Sequence, residues 1–201
     1  MRVLLKAASV MVLATALGGC ALLGGGAKAP ANLVTLTPEA QEPAQIVRSA
    51  SAGQSVTIET PAVGRELGTV RVPVQVSPAH VQYVANLQLV DMPARLFADL
   101  VAETVRRTTN RVVLDNGQTT LDPGLVVSGE LQRFGYDAAT GQVIVSYDGA
   151  LSTAGGKRVE TRRFTATAPA DGTSATVGYA LNRAANQVAQ DVAKWIGNSG
   201  S

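Results

Sequence analysis

Alternation of hydrophobic and polar residues predicts several short β-strands in the first half of the chain. Residues 33–36 form one apolar stretch, and 55–59 alternate as a strand does. Valines at every second position from 70 to 76 predict a further strand. Pro73 cannot donate a backbone hydrogen bond, which leaves two alternatives for this segment, an edge strand or an irregular extended one. Additional strands are expected at 81–84, 87–89 and 112–114, and 38–54 is expected to be a loop.

Longer alternating stretches in the second half predict an antiparallel meander. Residues 125–136 and 142–152 would be the two arms of a hairpin around 137–141. A strand at 159–168 follows the turn residues Gly155 and Gly156. Alternation places Val143, Val145, Tyr147 and Leu151 on one face of the second arm, and Arg158, Glu160 and Arg162 on one face of the last strand. We therefore expect the meander to have one face in water.

Two segments have the 3.6-residue period of amphipathic helices. The first begins at Asp91-Met92-Pro93, with Asp91 as the capping residue and Pro93 in the first turn. The second covers about 174–196, and Gly197 stands where a C-terminal cap belongs. The first apolar stripe is Leu96, Phe97, Leu100, Val101, Thr104, Val105 and Thr108; the second is Val177, Leu181, Ala184, Val188, Val192 and Trp195. The row Arg95, Asp99, Glu103 and Arg107 is expected to face water.

The order of these elements predicts an α+β fold. Strands precede the first helix, four strands follow it, and a long helix ends the pattern. The resulting architecture is a mostly antiparallel sheet with two amphipathic helices packed on one face.

The N-terminal residues have the layout of a secretory signal. Arg2 and Lys6 precede an apolar run that is too short to span a bilayer, and the run ends in Leu17-Gly18-Gly19-Cys20. Cys20 is the only cysteine, so it cannot form an internal disulfide. The four-residue motif resembles the lipobox of bacterial lipoproteins, in which the cysteine accepts lipid after cleavage. The alternative is an ordinary signal peptide that contains a cysteine.

Charge argues against nucleic acid as a partner. The chain has 17 basic and 15 acidic residues, but Arg2 and Lys6 belong to the leader, so a chain cleaved before Cys20 has 15 of each. Binding to phosphates requires a basic surface. Aromatic residues make up only 4% of the chain, too few for a surface that stacks on bases or sugars.

The sequence contains no recognisable catalytic, cofactor or metal motif. His80 is the only histidine, and no second histidine or free thiol could complete a metal site with it. Gly155-Gly156-Lys157 lacks the earlier glycine of a phosphate-binding loop, and Arg158 stands where that loop has Ser or Thr. We therefore expect no enzymatic activity, no cofactor and no bound metal.

An ordered set of short motifs resembles the family of ABC-type transport auxiliary lipoproteins, the PqiC-like group. The motifs are RVPV at 71–74, YV at 83–84, DMPARLF at 91–97, GEL at 129–131, FG at 134–135, ETRRF at 160–164, LNRAANQVA at 181–189 and WI at 195–196. One departure is Leu89, where many members of the family carry Trp.

The resemblance implies a lipoprotein in the outer membrane that faces the periplasm. Its partners would be an ABC permease with its ATPase and a substrate-binding protein with an MCE domain. Such systems move lipids, phospholipids foremost, between the inner and outer membranes. The alternatives are a structural or envelope-assembly lipoprotein that binds only other proteins and, less favoured, an anchored hydrolase. Direct binding of phospholipid and homo-oligomerisation both stay open.

The resemblance and the residue pattern together divide the chain into four parts. A signal peptide at 1–19 precedes a lipidated, glycine-rich tether at 20–32, which is joined to membrane through lipid, such as palmitate, on Cys20. The auxiliary domain covers 33–197, and 198–201 form a disordered tail. Within the domain, the extended valine-rich segment suggests Arg71, Pro73 and Tyr83 as candidate partner contacts.

Overall fold

The computed structural model describes residues 32–199 except for 46, 52, 116–117, 119–121, 123 and 154–157. The described strands are β1 (Asn32–Val34), β2 (Val56–Ile58), β3 (Ala62–Val63), β4 (Arg71–Ser77), β5 (His80–Leu89), β6 (Val113–Leu114), β7 (Leu125–Asp137), β8 (Gln142–Ser152) and β9 (Val159–Pro169). The helices are α1 (Pro93–Thr108), α2 (Ser174–Asn198) and a 3₁₀ turn at Arg65–Leu67.

All nine of these strands belong to one mixed sheet, in which β7 is the central element. On one side β7 pairs with β8, and β8 pairs with β9, along long antiparallel ladders. On the other side it pairs in parallel, over two or three residues at a time, with β2, β3 and β4. The α+β class is confirmed, and the long ladders are antiparallel as expected. The short parallel pairings were not anticipated by the strand pattern.

Both helices pack against one face of the sheet and against each other. Their predicted stripes are buried except for Leu96, which is half-buried, and Thr108, which is exposed. A chain of aromatic rings joins the layers: Phe97 of α1 lies 5.1 Å from Tyr147 of β8, and Phe164 of β9 lies 5.4 Å from Trp195 of α2. The stripe of α2 and the inward residues of β7, β8 and β9 form a single core.

Strand β4 is an interior strand, so the alternative that placed Pro73 on a sheet edge is wrong. It pairs with β5 along its length and with β7 at Val74 and Gln75. The pairing with β5 shifts register between Arg71 and Pro73, which confirms the irregular alternative. An irregularity at this point is consistent with a residue that has no N–H to contribute.

Glu160 and Arg162 do not lie on the water-facing side of β9. Glu160 and Arg162 lie on the same side of the strand as buried Phe164, and Glu160 accepts a hydrogen bond of 2.7 Å from Trp195 Nε1. Polar residues are tolerated on this side because the last turns of α2 supply a donor and an aromatic surface. The water-facing side carries instead exposed Thr161, Arg163, Thr165 and Thr167.

Three local predictions for the helices were wrong. The N-cap of α1 is Met92, while Asp91 accepts a hydrogen bond from the Met92 N–H and pairs with Arg95 at 3.3 Å. Gly197 lies inside α2, whose C-cap is Ser199. Arg107 does not face open water: it is 17% exposed, because the segment before β2 covers it.

Candidate functional site

The free edge of β5 is the most distinctive surface of the sheet. On its outer side β5 is paired only by β1, which reaches residues 87–89. Among the described residues, none pairs with positions 80–86 on that side, and we call this stretch the open edge. Unpaired backbone donors and acceptors on an edge are a template for an added strand. Residues 81–83 pair regularly with β4, so this part of the open edge has the geometry to accept an extended segment; Asn86 has a positive φ of 56°, and the register with β4 jumps between Tyr83 and Gln88.

The structure brings together all three predicted contact residues beside the open edge. Pro73 and Tyr83 are cross-strand partners, and the Arg71 guanidinium lies 4.3 Å from the centre of the Tyr83 ring. The Tyr83 hydroxyl donates to the backbone oxygen of Glu66 at 3.4 Å. Arg71 is exposed and Tyr83 half-buried, so both are accessible to a partner. Pro73 is buried against the backbone of Gly135 and can only shape the surface from below.

Apolar side chains surround the turn that joins β4 to β5. Val76 is 42% exposed and Val81 is 44% exposed. Nothing in the alternating valine pattern distinguishes these two from buried Val72. The pattern suggested contacts in this region, but the free edge itself depends on how short β1 is, which no local pattern indicates.

His80 closes this same turn. Its Nδ1 lies 2.9 Å from the Ser77 hydroxyl oxygen, and both residues are outside the core. A Ser–His pair acts as a nucleophile and base only when a third group orients the imidazole. No ion pair among the described residues includes His80. The arrangement fits a turn contact.

The titratable groups with perturbed pKa values serve structural contacts. Burial raises the pKa of the Tyr147 hydroxyl, which lies in the core. A hydrogen bond from Arg163 across the β8–β9 ladder lowers the pKa of Asp148. At the start of α2, hydrogen bonds led by the Thr176 hydroxyl lower the pKa of Asp171 to about 2. Within the described part of the chain, no three His, Cys, Asp or Glu side chains form a potential metal site.

The predicted anchor, Cys20, lies outside the described residues, as do the signal peptide at 1–19, almost all of the predicted tether, and the Gly155-Gly156 turn. No helix in the described range is long and apolar enough to cross a bilayer.

Solved structures show the same fold at low sequence identity. A Xanthomonas campestris protein of the DUF330 family aligns with a TM-score of 0.68 at 16% identity, over 82% of this chain and 94% of the other. An uncharacterized protein aligns with a TM-score of 0.61 at 14% identity, over 75% and 96% of the two chains. No curated protein matches the chain in sequence.

A family model described as "ABC-type transport auxiliary lipoprotein component" matches residues 35–193. The match begins just after β1 and includes every later strand and α2 as far as Ala193. It also contains the open edge and the three candidate contact residues Arg71, Pro73 and Tyr83. Members are described as auxiliary parts of a transport system and as lipoproteins, which indicates a membrane-anchored location. The chain belongs to the family of ABC-type transport auxiliary lipoprotein components.

Proposed function

We propose that this protein is a non-catalytic lipoprotein of an ABC transporter that moves lipids, phospholipids foremost, between the inner and outer membranes. It is held in the outer membrane by lipid on Cys20 and faces the periplasm. ATP is hydrolysed by another subunit of the same system. Family membership supports the transport role, and the motif Leu17-Gly18-Gly19-Cys20 supports the anchor.

The observation that carries the proposal is the open edge of β5. A domain that works by docking needs a surface that its own fold leaves unpaired, and residues 80–86 provide one. We assign the MCE-domain subunit to this edge. Backbone hydrogen bonds would supply affinity there, while Arg71, Tyr83 and Val81 would supply selectivity.

A protein-binding role without direct lipid carriage is the second candidate. It is favoured by the packing of the helices, because the side chains of their apolar stripes are buried in the core and are not exposed to an acyl chain. In that case the protein is an envelope-assembly component and its partners are proteins alone.

Recovery of partners from native membranes tests the docking assignment. A tagged full chain should recover an MCE-domain subunit, and Val81→Lys should reduce that recovery because it places a charge beside the open edge. Val159→Lys is the matched control, since Val159 is an exposed valine at the start of β9, the edge strand on the far side of the sheet. Equal recovery with both variants would reject the open edge. Recovery of no MCE or permease subunit by the wild type would reject the transport role.

The anchor is tested separately with Cys20→Ala. This variant should leave the membrane fraction while its circular dichroism and unfolding midpoint stay those of the wild type. Continued fractionation with membranes would overturn the assignment of Cys20 as the lipid-bearing residue.

A further inference from the structure

A concave surface lies where the C-terminal ends of α1 and α2 come together. Its volume is about 760 Å³, and we call it the basic groove. The lining residues are Arg48, Ser49, Ala50, Gln54, Arg107, Thr108, Thr109, Asn110, Arg111, Ala193, Lys194, Gly197 and Asn198. This set contains four cations and no carboxylate. Since basic and acidic residues are equal in number after the leader, the excess is a local one.

Two of the four cations have no carboxylate partner. Arg107 pairs with Glu103 at 2.7 Å, and Lys194 pairs with Asp191 at 3.4 Å. No described carboxylate lies within ion-pair distance of Arg48 or Arg111. These two arginines donate to backbone carbonyls instead.

The carbonyl contacts hold the arginines in place without neutralising them. Arg48 Nε donates to Thr109 O at 3.3 Å, and Arg111 Nη2 donates to Ser199 O at 2.7 Å. A cation beside a helix C-terminus is stabilised by the helix dipole, which explains part of this arrangement. The helix dipole does not explain why the surface is concave and polar, or why Lys194 also lines it. A guanidinium has five N–H donors, so each arginine can bind an anion as well.

The lining and the position of the groove restrict its occupant. Its only aliphatic side chains are two alanines, so an acyl chain would gain little there. The described chain begins beside the other end of α2, where Val34 packs at Gly178. From Gly178 to Lys194 the helix advances about 24 Å. The groove therefore lies away from the point where the chain enters the domain, and its polar, cationic lining favours carboxylates of a partner protein over acyl chains.

We propose that the basic groove binds an acidic segment of a partner protein, through carboxylate contacts to Arg48, Arg111 and Lys194. The site is separate from the open edge, and it does not depend on which molecule the transporter moves. A partner would then be held at two places on the domain, one by backbone pairing and one by charge.

Binding of a labelled deca-glutamate peptide to the full chain in detergent tests the proposal by fluorescence anisotropy. The double variant Arg48→Glu/Lys194→Glu should weaken binding about tenfold or more, while Arg95→Glu/Arg183→Glu should change it less than twofold. Both doubles change the net charge equally. The control arginines are exposed and do not line the groove, and Arg183 lies about 16 Å along α2 from Lys194.

Two further measurements keep the test decisive. Binding by the wild type should fall steeply between 50 and 300 mM salt, by about tenfold, since the contacts are ionic. If the double variant does not fold, Lys194→Glu alone serves, because its side chain is 69% exposed. Equal loss in both doubles, or no peptide binding by the wild type, overturns the proposal. Displacement of the peptide by inorganic phosphate or by short-chain phosphatidylglycerol at lower concentration than free glutamate would overturn it in favour of a phosphate ligand.

Discussion

Replacing Asn186 by alanine should detach the segment that crosses the two helices. This crossing segment, residues 36–45 and 47–48, has no regular secondary structure and lies along α2 and then α1. The Asn186 side chain is 1% exposed; its Oδ1 accepts from Glu39 N at 2.7 Å and its Nδ2 donates to Thr37 O at 2.9 Å. The alanine variant leaves both of those backbone groups without their partner.

The expected cost follows from these contacts. Each hydrogen bond contributes about 0.5–1.5 kcal/mol net, so losing two of them should lower the free energy of unfolding by about 1–3 kcal/mol. A domain of this size should then lose about 2–4 °C in Tm per kcal/mol, or about 4–8 °C for a loss of 2 kcal/mol. Gln187→Ala is the matched control, because the neighbouring Gln187 is exposed and its side chain bonds, among the described residues, to the Asp191 carboxylate alone.

Chemical denaturation followed by circular dichroism gives the free energy, and amide hydrogen exchange gives the location. Exchange at Glu39 should accelerate in Asn186→Ala far more than exchange in the β7–β8 hairpin. A Tm within 1 °C of the wild type, or unchanged protection at Glu39, would refute the reasoning, because either result means that the side chain does not hold the crossing segment.

Three further outcomes are expected. Glu160→Ala should lower the free energy of unfolding by about 1–2 kcal/mol, because it removes the acceptor for Trp195 Nε1. Glu160→Gln keeps an acceptor oxygen and should lower it by less than half as much. Equal losses in the two variants would mean that this hydrogen bond does not account for the contribution of Glu160. Because the folded pKa of Asp171 is about 2 against an ordinary 3.8, its contribution is present above pH 3.8 and is lost as the pH falls through about 2. Stability of Asp171→Asn should accordingly fall less steeply over that interval in acid titrations of unfolding, and an unchanged slope would contradict this. Gly197→Ala should raise the free energy of unfolding by about 0.5 kcal/mol, and the Tm with it, because the position is helical and an added Cβ would meet Thr109 at 3.8 Å. A lower Tm would mean that Gly197 acts as a C-cap after all.

Periodicity identified the elements whose apolar faces meet the core. The buried stripes of α1 and α2 and the hairpin of β7 and β8 follow directly from spacing, because side-chain direction is set by the local backbone. The parallel contacts of β2, β3 and β4 with β7 could not be found this way. They join short segments far apart in sequence, and two or three residues carry too little pattern to select a partner.

Polar residues whose partners are distant in sequence account for most of the remaining differences between the sequence predictions and the structure. Asn182 and Asn186 are four residues apart on α2, yet what they bind lies about 145 residues earlier. Glu160 is of a residue type usually found on the surface, but here it is half-buried and accepts a hydrogen bond from Trp195 Nε1. At the candidate site, Arg71, Pro73 and Tyr83 lie together because β4 and β5 are paired neighbours, and their role as partner contacts stays a prediction. The missing neighbour of β5 depends on where β1 stops. The arginines of the basic groove come from separate segments and share no motif.

The crossing segment also has a mechanical consequence. Any pull on Asn32 acts first on the short ladder between β1 and β5 and then on the bonds to Asn182 and Asn186. If those contacts broke one after another, the chain from Asn32 to Arg48 could stretch to a total span of about 55 Å while the rest of the sheet stayed intact. The first contacts to break under load would thus be the short β1–β5 ladder, followed by the side-chain contacts on the surface of α2. If the domain is tethered at this end, tension would first lengthen the segment between the tether and the sheet, and the core would unfold only afterwards.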